Sequence, residues 1–235
     1  MSNGMEKDLM RMLSMAPDSK MVWVTDFDSD AVIRFYDKFM ELEKDQECQI
    51  IPVFINSYGG EVYALTAIRD LIKSSHKPVA TIGVGMAMSC GASLLAAGTK
   101  GYRFAAKDMH ILIHQVSSFA VGKNADVQES AKVTAMLNKK LFQNLAEDTG
   151  KTLKDFDDKI KSKHNADWTL TAATARTWGI VDHIGIPRTN NAPPSMFLGN
   201  HPSYDQQVAM EQAMRGGKQP KRQGKSKQKR GKTRA

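Results

Sequence analysis

The sequence predicts an α/β fold built on a mostly parallel sheet. Two observations carry that expectation. Short apolar runs alternate with segments whose apolar residues recur at helical spacing, which is the pattern of βαβ crossovers. Two of the runs, Ile50 to Ile55 and Val79 to Val84, are uncharged throughout, as strands covered on both faces are.

Taken in order, Met21 to Thr25 reads as a strand, and Asp28-Ser29-Asp30 supplies N-cap chemistry for a helix with Val32, Phe35, Phe39 and Leu42 on one face. Ile50 to Ile55 is the second strand, with Pro52 near its start, where a proline is tolerated. The loop Asn56-Ser57-Tyr58-Gly59-Gly60 leads into a second helix whose apolar face is Val62, Leu65, Ile68, Leu71 and Ile72. Val79 to Val84 is the third strand. From Val79 to Thr99 no residue is charged, but Gly83, Gly85, Gly91, Gly98, Thr81, Ser89 and Ser93 interrupt the run. A buried strand, a turn over Gly85 to Gly91 and a helix over Ala92 to Ala97 fit it better than a bilayer span. Tyr102 to Ala105 and His110 to His114 are strand-like. Asp126 to Thr149 is a long helix, with Val127, Val133, Leu137, Leu141 and Leu145 at helical spacing and Gly150 just past its end. Leu153 to Lys161 is a shorter charged helix and Trp168 to Leu170 is extended. Thr171 caps a helix that stops at Gly179, and Ile180-Val181 closes the core.

The flanks differ from this body. The chain has 235 residues and a net charge of +8. Ten Lys and Arg between Arg215 and Arg234, against Asp205 and Glu211, account for all of it, so the body is neutral. Beyond Asn190, Asn191, Pro193 and Pro194 apolar residues are sparse. Residues 189–235 therefore read as a basic, largely disordered tail with a marginal helix over Val208 to Met214. Such a tail suits nucleic acid or another polyanion through counterion release, or serves as a solvated solubility tail. Residues 1–20, rich in Met, form an N-terminal arm, and residues 21–188 form the domain. A 41% hydrophobic and 25% charged composition is that of an ordinary soluble protein. Cys48 and Cys90 cannot make a disulfide framework, which excludes a small secreted scaffold and makes a cytoplasmic setting the expectation.

Three segments could carry chemistry. The turn Gly85-Met-Ala-Met-Ser89-Cys90-Gly91 sets a serine between a buried strand and a helix N-terminus. The first-turn N–H groups there can stabilise an oxyanion beside the hydroxyl, although an N-cap serine without chemistry has the same sequence. The pair Gly59-Gly60 permits φ > 0 and exposes backbone N–H groups, as an oxyanion site or as a plain tight turn. It lacks the spacing of a dinucleotide fingerprint. His114 ends an apolar strand, where it can act as a general base or merely be structural. His110 and His114 have the H-x-x-x-H spacing, but Ile111, Leu112 and Ile113 favour a strand and no H-E-x-x-H is present, so no metal is expected. Asp108, Asp126, Asp167 and Asp182 could each orient His114, and spacing does not choose among them.

Taken together, these segments resemble the ClpP family of serine peptidases, the proteolytic subunit of the Clp protease, from about Met21 to about Ile186. The resemblance rests on Ile55-Asn-Ser-Tyr-Gly-Gly60, on Gly85 to Gly101 around Ser89, on Ile111-Leu-Ile-His114-Gln115, and on Asp167-Trp-Thr-Leu-Thr171 followed by Trp178-Gly-Ile-Val-Asp182. It implies a ClpP/crotonase-like fold of repeated ββα units, with a helical handle protruding over the Asp126–Thr149 region. It implies Ser89 as nucleophile, His114 as general base and Asp167 as the group that orients it, with Gly60 and Cys90 giving the oxyanion-hole N–H groups. It also implies a homo-oligomer of stacked heptameric rings that takes unfolded polypeptides from an AAA+ unfoldase. No cofactor or metal is implied in the subunit, since ATP is used only by the partner. Tyr58 and Val116 stand where the family usually has proline, Cys90 where it has methionine and Thr169 where it has an aromatic. Competing readings are a phage head-maturation protease of the same family, a silent ring or scaffold subunit with a nucleic-acid-binding tail, and an acyl-CoA-binding relative of the fold.

Overall fold

A computed structural model describes residues 20–164 and 167–187. All of the expected arm except Lys20, the expected tail and the helix expected over Val208 to Met214 lie outside the described residues. The described elements follow in order: β1 (Val22–Val24), α1 (Ser29–Lys44), β2 (Ile51–Ser57), α2 (Val62–Ser74), β3 (Val79–Met88), α3 (Cys90–Ala97), β4 (Arg103–Ala105), β5 (His110–Ile113), α4 (Asn124–Thr149), α5 (Leu153–Ser162), β6 (Trp168–Leu170), α6 (Ala172–Thr177) and β7 (His183–Ile184).

The sheet runs β1-β2-β3-β4-β7, all parallel, with β5 added to the far half of β3 and β6 antiparallel to β5. The predicted α/β class with its parallel sheet is therefore the observed one. One face carries the helices. Phe35, Phe39 and Leu42 of α1 and Leu65, Ile68 and Ile72 of α2 join Ile51, Val53 and Ile55 in the main core. Asp28 caps α1 by accepting a hydrogen bond from the Ala31 N–H at 2.7 Å. A smaller cluster of Ile50, Phe54, Ile82, Val84 and Phe104 lies on the remaining sheet residues, with Trp23 stacked on Phe54.

Three expectations need correcting. The third strand does not end at Val84 with a turn over Gly85 to Gly91. It continues to Met88 by changing partner: Thr81 to Gly83 pair with β4, whereas Met86 to Met88 pair with β5. The bend falls at Gly85, where an added Cβ would lie 2.9 Å from Asn56 Oδ1. The second strand likewise runs on to Ser57 through an irregularity between Ile55 and Ser57. The third correction concerns the long helix. It starts at Asn124, and only Leu141, Phe142, Asn144 and Leu145 are buried, so Val127 and Val133 of the expected stripe are exposed. At 26 residues α4 is about 39 Å long, and its buried residues all lie in its C-terminal part. The periodicity marks one face along the whole helix, and the chain's own core covers only one end of it. This is the geometry of a protruding handle.

Candidate active site

Strand register brings the sequence candidates together. Met88 pairs with Leu112 on parallel β3 and β5, and the Ser89 N–H donates to the Leu112 carbonyl at 2.8 Å. Ile113 pairs with Trp168 on antiparallel β5 and β6. One residue beyond each pairing stand Ser89, His114 and Asp167, at one end of three adjacent strands. The His114 Nδ1 and Asp167 Oδ1 atoms are 3.9 Å apart, with the histidine side chain 22% and the carboxylate 60% exposed. That separation is an ion-pair distance and too long for a hydrogen bond. Among the described residues no hydrogen bond joins His114 to Ser89.

Ser89 sits at the N-cap of α3 with φ 54° and ψ −117°, and its side chain makes no capping bond. A non-glycine residue held there stores roughly 1–3 kcal/mol of strain. The geometry is that of a sharp strand-to-helix elbow, which lifts a hydroxyl out of the sheet. Ser89 thus holds the N-cap position without the side-chain capping bond of an ordinary N-cap serine. Below it, all eight residues of α3 are buried, so the elbow stands on a packed floor.

The glycine pair forms the facing wall. At Gly59 φ is +105°, and a Cβ there would lie 2.7 Å from Ser89 Cβ and 2.9 Å from the Met88 carbonyl oxygen. At Gly60 φ is +150°, and a Cβ would lie 2.5 Å from the Phe27 carbonyl oxygen. Only glycine fits either position. The Gly59 N–H donates to Ser57 Oγ at 3.0 Å, and the Cys90 thiol reaches the Gly60 carbonyl at 3.2 Å. Gly60 is therefore fastened to the first residue of α3, whose own N–H has no acceptor within the helix. Burial pushes the Cys90 thiol up to about 11 despite that bond, so at neutral pH it is an inert thiol rather than a rival nucleophile.

The other sequence candidates fall elsewhere. Asp182 does not face His114. It accepts from Arg103 Nη2 at 2.7 Å, from Arg103 Nε at 2.9 Å and from the Gly101 N–H at 2.7 Å. Burial raises the Asp182 carboxyl, but the guanidinium and the N–H donors outweigh it and hold the group below the usual carboxylate range. His110 and His114 stand at the two ends of an extended segment, about 13 Å apart by strand rise, too far to share one ion. Among the described residues no three His, Cys, Asp or Glu cluster as a metal site, and no helix is long and apolar enough to cross a membrane. Sequence reasoning missed the Cys90–Gly60 contact and the approach of Gly59 to Ser89. Both depend on how two loops far apart in sequence meet.

The chain is similar to known proteins. The Clp protease family model matches residues 4–188. The ATP-dependent Clp protease proteolytic subunit 2 of Corynebacterium glutamicum is 38% identical over 143 residues, covering 61% of this chain and 69% of that protein. The protein of the same name from Corynebacterium diphtheriae is 34% identical over 160 residues, covering 68% and 78%. With the family match spanning the sheet, the elbow and the histidine strand, the chain belongs to the Clp protease family and is a serine-type peptidase.

Proposed function

We propose that this chain hydrolyses peptide bonds of unfolded polypeptides through Ser89, His114 and Asp167. The observation that carries the reading is the shared register end of β3, β5 and β6, together with a strained Ser89 whose hydroxyl is not used as a cap. In this mechanism Ser89 Oγ attacks the scissile carbonyl as His114 takes its proton. Asp167 holds the ring's tautomer and stabilises the imidazolium, and the Gly60 and Cys90 N–H groups receive the oxyanion. His114 then protonates the leaving amine, and water releases the acyl-enzyme by the reverse route. The imidazole and Asp167 must close by about 1 Å to form a hydrogen bond, a movement that the exposed carboxylate allows.

The chain acts as a homo-oligomer in this reading, as two stacked heptameric rings with the sites enclosed. The exposed Phe119, Val121, Val127, Val133 and Met136, on α4 and the loop before it, are the apolar surface that such stacking would cover. An AAA+ unfoldase would feed the chamber and use the ATP, in keeping with the word ATP-dependent in the relatives' names. The ten basic residues from Arg215 to Arg234 give the assembly a binding site for a polyanion such as nucleic acid, with an affinity that falls steeply with salt.

A fluorophosphonate probe tests the core of this. Labelling mapped to Ser89 by mass spectrometry, and abolished in Ser89→Ala, is the expected result. No labelling of folded, assembled wild-type protein would leave a silent ring subunit as the better reading.

A further inference from the structure

His114 directly follows Ile113, the last residue of its segment that the sheet pairs. Ile111 and Leu112 are paired on both sides, with β3 and with β6, and Ile113 is paired with β6 alone. Two residues beyond His114 a different element takes hold. The Val116 N–H donates to Asn138 Oδ1 of α4 at 2.9 Å, and the hydroxyls of Ser118 and Thr134 lie 2.7 Å apart. Two extended residues advance about 6.6 Å and four helical residues about 6 Å. Positions 116 and 118 therefore match positions 138 and 134 in antiparallel order, on one face of α4. Exposure supports this as far as Ser117: His114 and Val116 are half-buried while Gln115 and Ser117 are exposed, and Ser118 beyond them is exposed too. Val116 also packs against the main core.

We propose that Asn138 is a positioning residue for His114, acting through the Val116 N–H. The inference rests on the reading of His114 as general base given above. Only His114 and Gln115 lie between the sheet anchor at Ile113 and the helix anchor at Val116. With both ends fixed, the backbone at His114 has little freedom, and its ring is kept with Nδ1 3.9 Å from Asp167. With the second anchor gone, the chain beyond Ile113 can swing and carry the ring with it. A misplacement of about 1 Å costs on the order of 10²-fold in rate.

The test compares full-length wild type with Asn138→Ala, Asn138→Asp, Val116→Pro and the double variant. The readouts are the rate of fluorophosphonate labelling at Ser89 across pH, kcat and KM on a short fluorogenic peptide, and the thermal midpoint. Alanine suits a helix better than asparagine, so a midpoint that holds while the rate falls marks positioning rather than folding. Asn138→Ala is expected to slow labelling about 10- to 100-fold, lowering kcat with KM little changed. Asn138→Asp keeps an oxygen acceptor in place and restores most of the rate. Proline has no N–H to offer, so in the Val116→Pro background the change of Asn138 to alanine has less than about twofold further effect. An equal loss in both backgrounds, or no loss in Asn138→Ala, overturns the proposal. Wild-type protein that is not labelled at Ser89 instead overturns the catalytic reading on which it rests.

Discussion

Ser89 sits in a cradle whose walls are backbone and buried core, whereas His114 and Asp167 stand at the ends of strands of four and three residues. In the proposed mechanism these are a nucleophile half and a base half, and the nucleophile half is closed by α3, entirely buried, and by Gly59 and Gly60, each within 3 Å of neighbouring backbone if a Cβ is added. The base half has a carboxylate 60% exposed and an imidazole 3.9 Å from it. Packing within one chain thus completes the first half and leaves the second with room to move. Substitutions in the nucleophile half should therefore change rate and stability together, and those in the base half should change rate alone.

The largest effect expected is in the base half. Asp167→Asn keeps the shape but offers the wrong hydrogen-bonding group to His114, and kcat should fall about 10⁴-fold, as when a triad aspartate is so changed elsewhere. The thermal midpoint should stay with wild type, since the side chain is mostly in water. A loss under about tenfold would mean that another carboxylate orients the histidine, and the contrast between the halves would collapse.

Gly59→Ala tests the other half and should lower both readouts. A methyl placed 2.7 Å from Ser89 Cβ and 2.9 Å from the Met88 oxygen, at φ +105°, pushes the elbow off its floor. The expected loss in labelling rate is about 10²- to 10³-fold, the range for a damaged oxyanion site, with a clear drop in midpoint. A variant that kept its midpoint while losing rate would show the cradle to be as loose as the base half.

Asp182 is a carboxylate that the site does not use, and it supplies a stability control. Arg103 is 2% exposed, so Asp182→Asn leaves a buried cation without its counter-charge and should cost about 3 kcal/mol at neutral pH. The native Asp182 carboxyl lies below its ordinary range. Its contribution is therefore present at neutral pH and disappears as pH falls from the ordinary carboxyl range through the lower native value. Denaturant midpoints of wild type and variant should converge on acidification. A constant gap would mean that the ion pair does not carry the difference.

The same contrast explains what the sequence discloses. Continuous strands, the Asp28 cap, and the helical spacing of Phe35, Phe39 and Leu42 are local patterns, and the structure repeats them. Ser89 and His114 could be singled out because each ends an apolar run, but choosing Asp167 over Asp182 needed the register of β6 on β5 or a family resemblance. The partner exchange along β3, the bond from Val116 to Asn138 and the exposure of Val127 and Val133 are tertiary facts with no local signature. A helical stripe cannot say whether it is covered by its own chain.

The smallest effect gives the finest comparison. Thr171 caps α6 by accepting from the Thr174 N–H at 3.2 Å, directly after β6, the strand that begins next to Asp167. Asp28 caps α1 beside Phe27, whose carbonyl backs Gly60. Loss of either cap to alanine should cost about 1 kcal/mol, read from denaturant midpoints. The two should part in their effect on Ser89 labelling. Phe27 is 2% exposed and held by the core, so the Asp28→Ala loss is absorbed before it reaches Gly60. In Thr171→Ala the frayed first turn pulls on a three-residue strand that is paired on one edge only, with β5, and held otherwise by the buried Trp168 and Leu170, and labelling should slow severalfold. Equal labelling in both variants would mean that β6 is as firmly held as the elbow, and that the open distance between His114 and Asp167 belongs to side-chain rotation rather than to the strand.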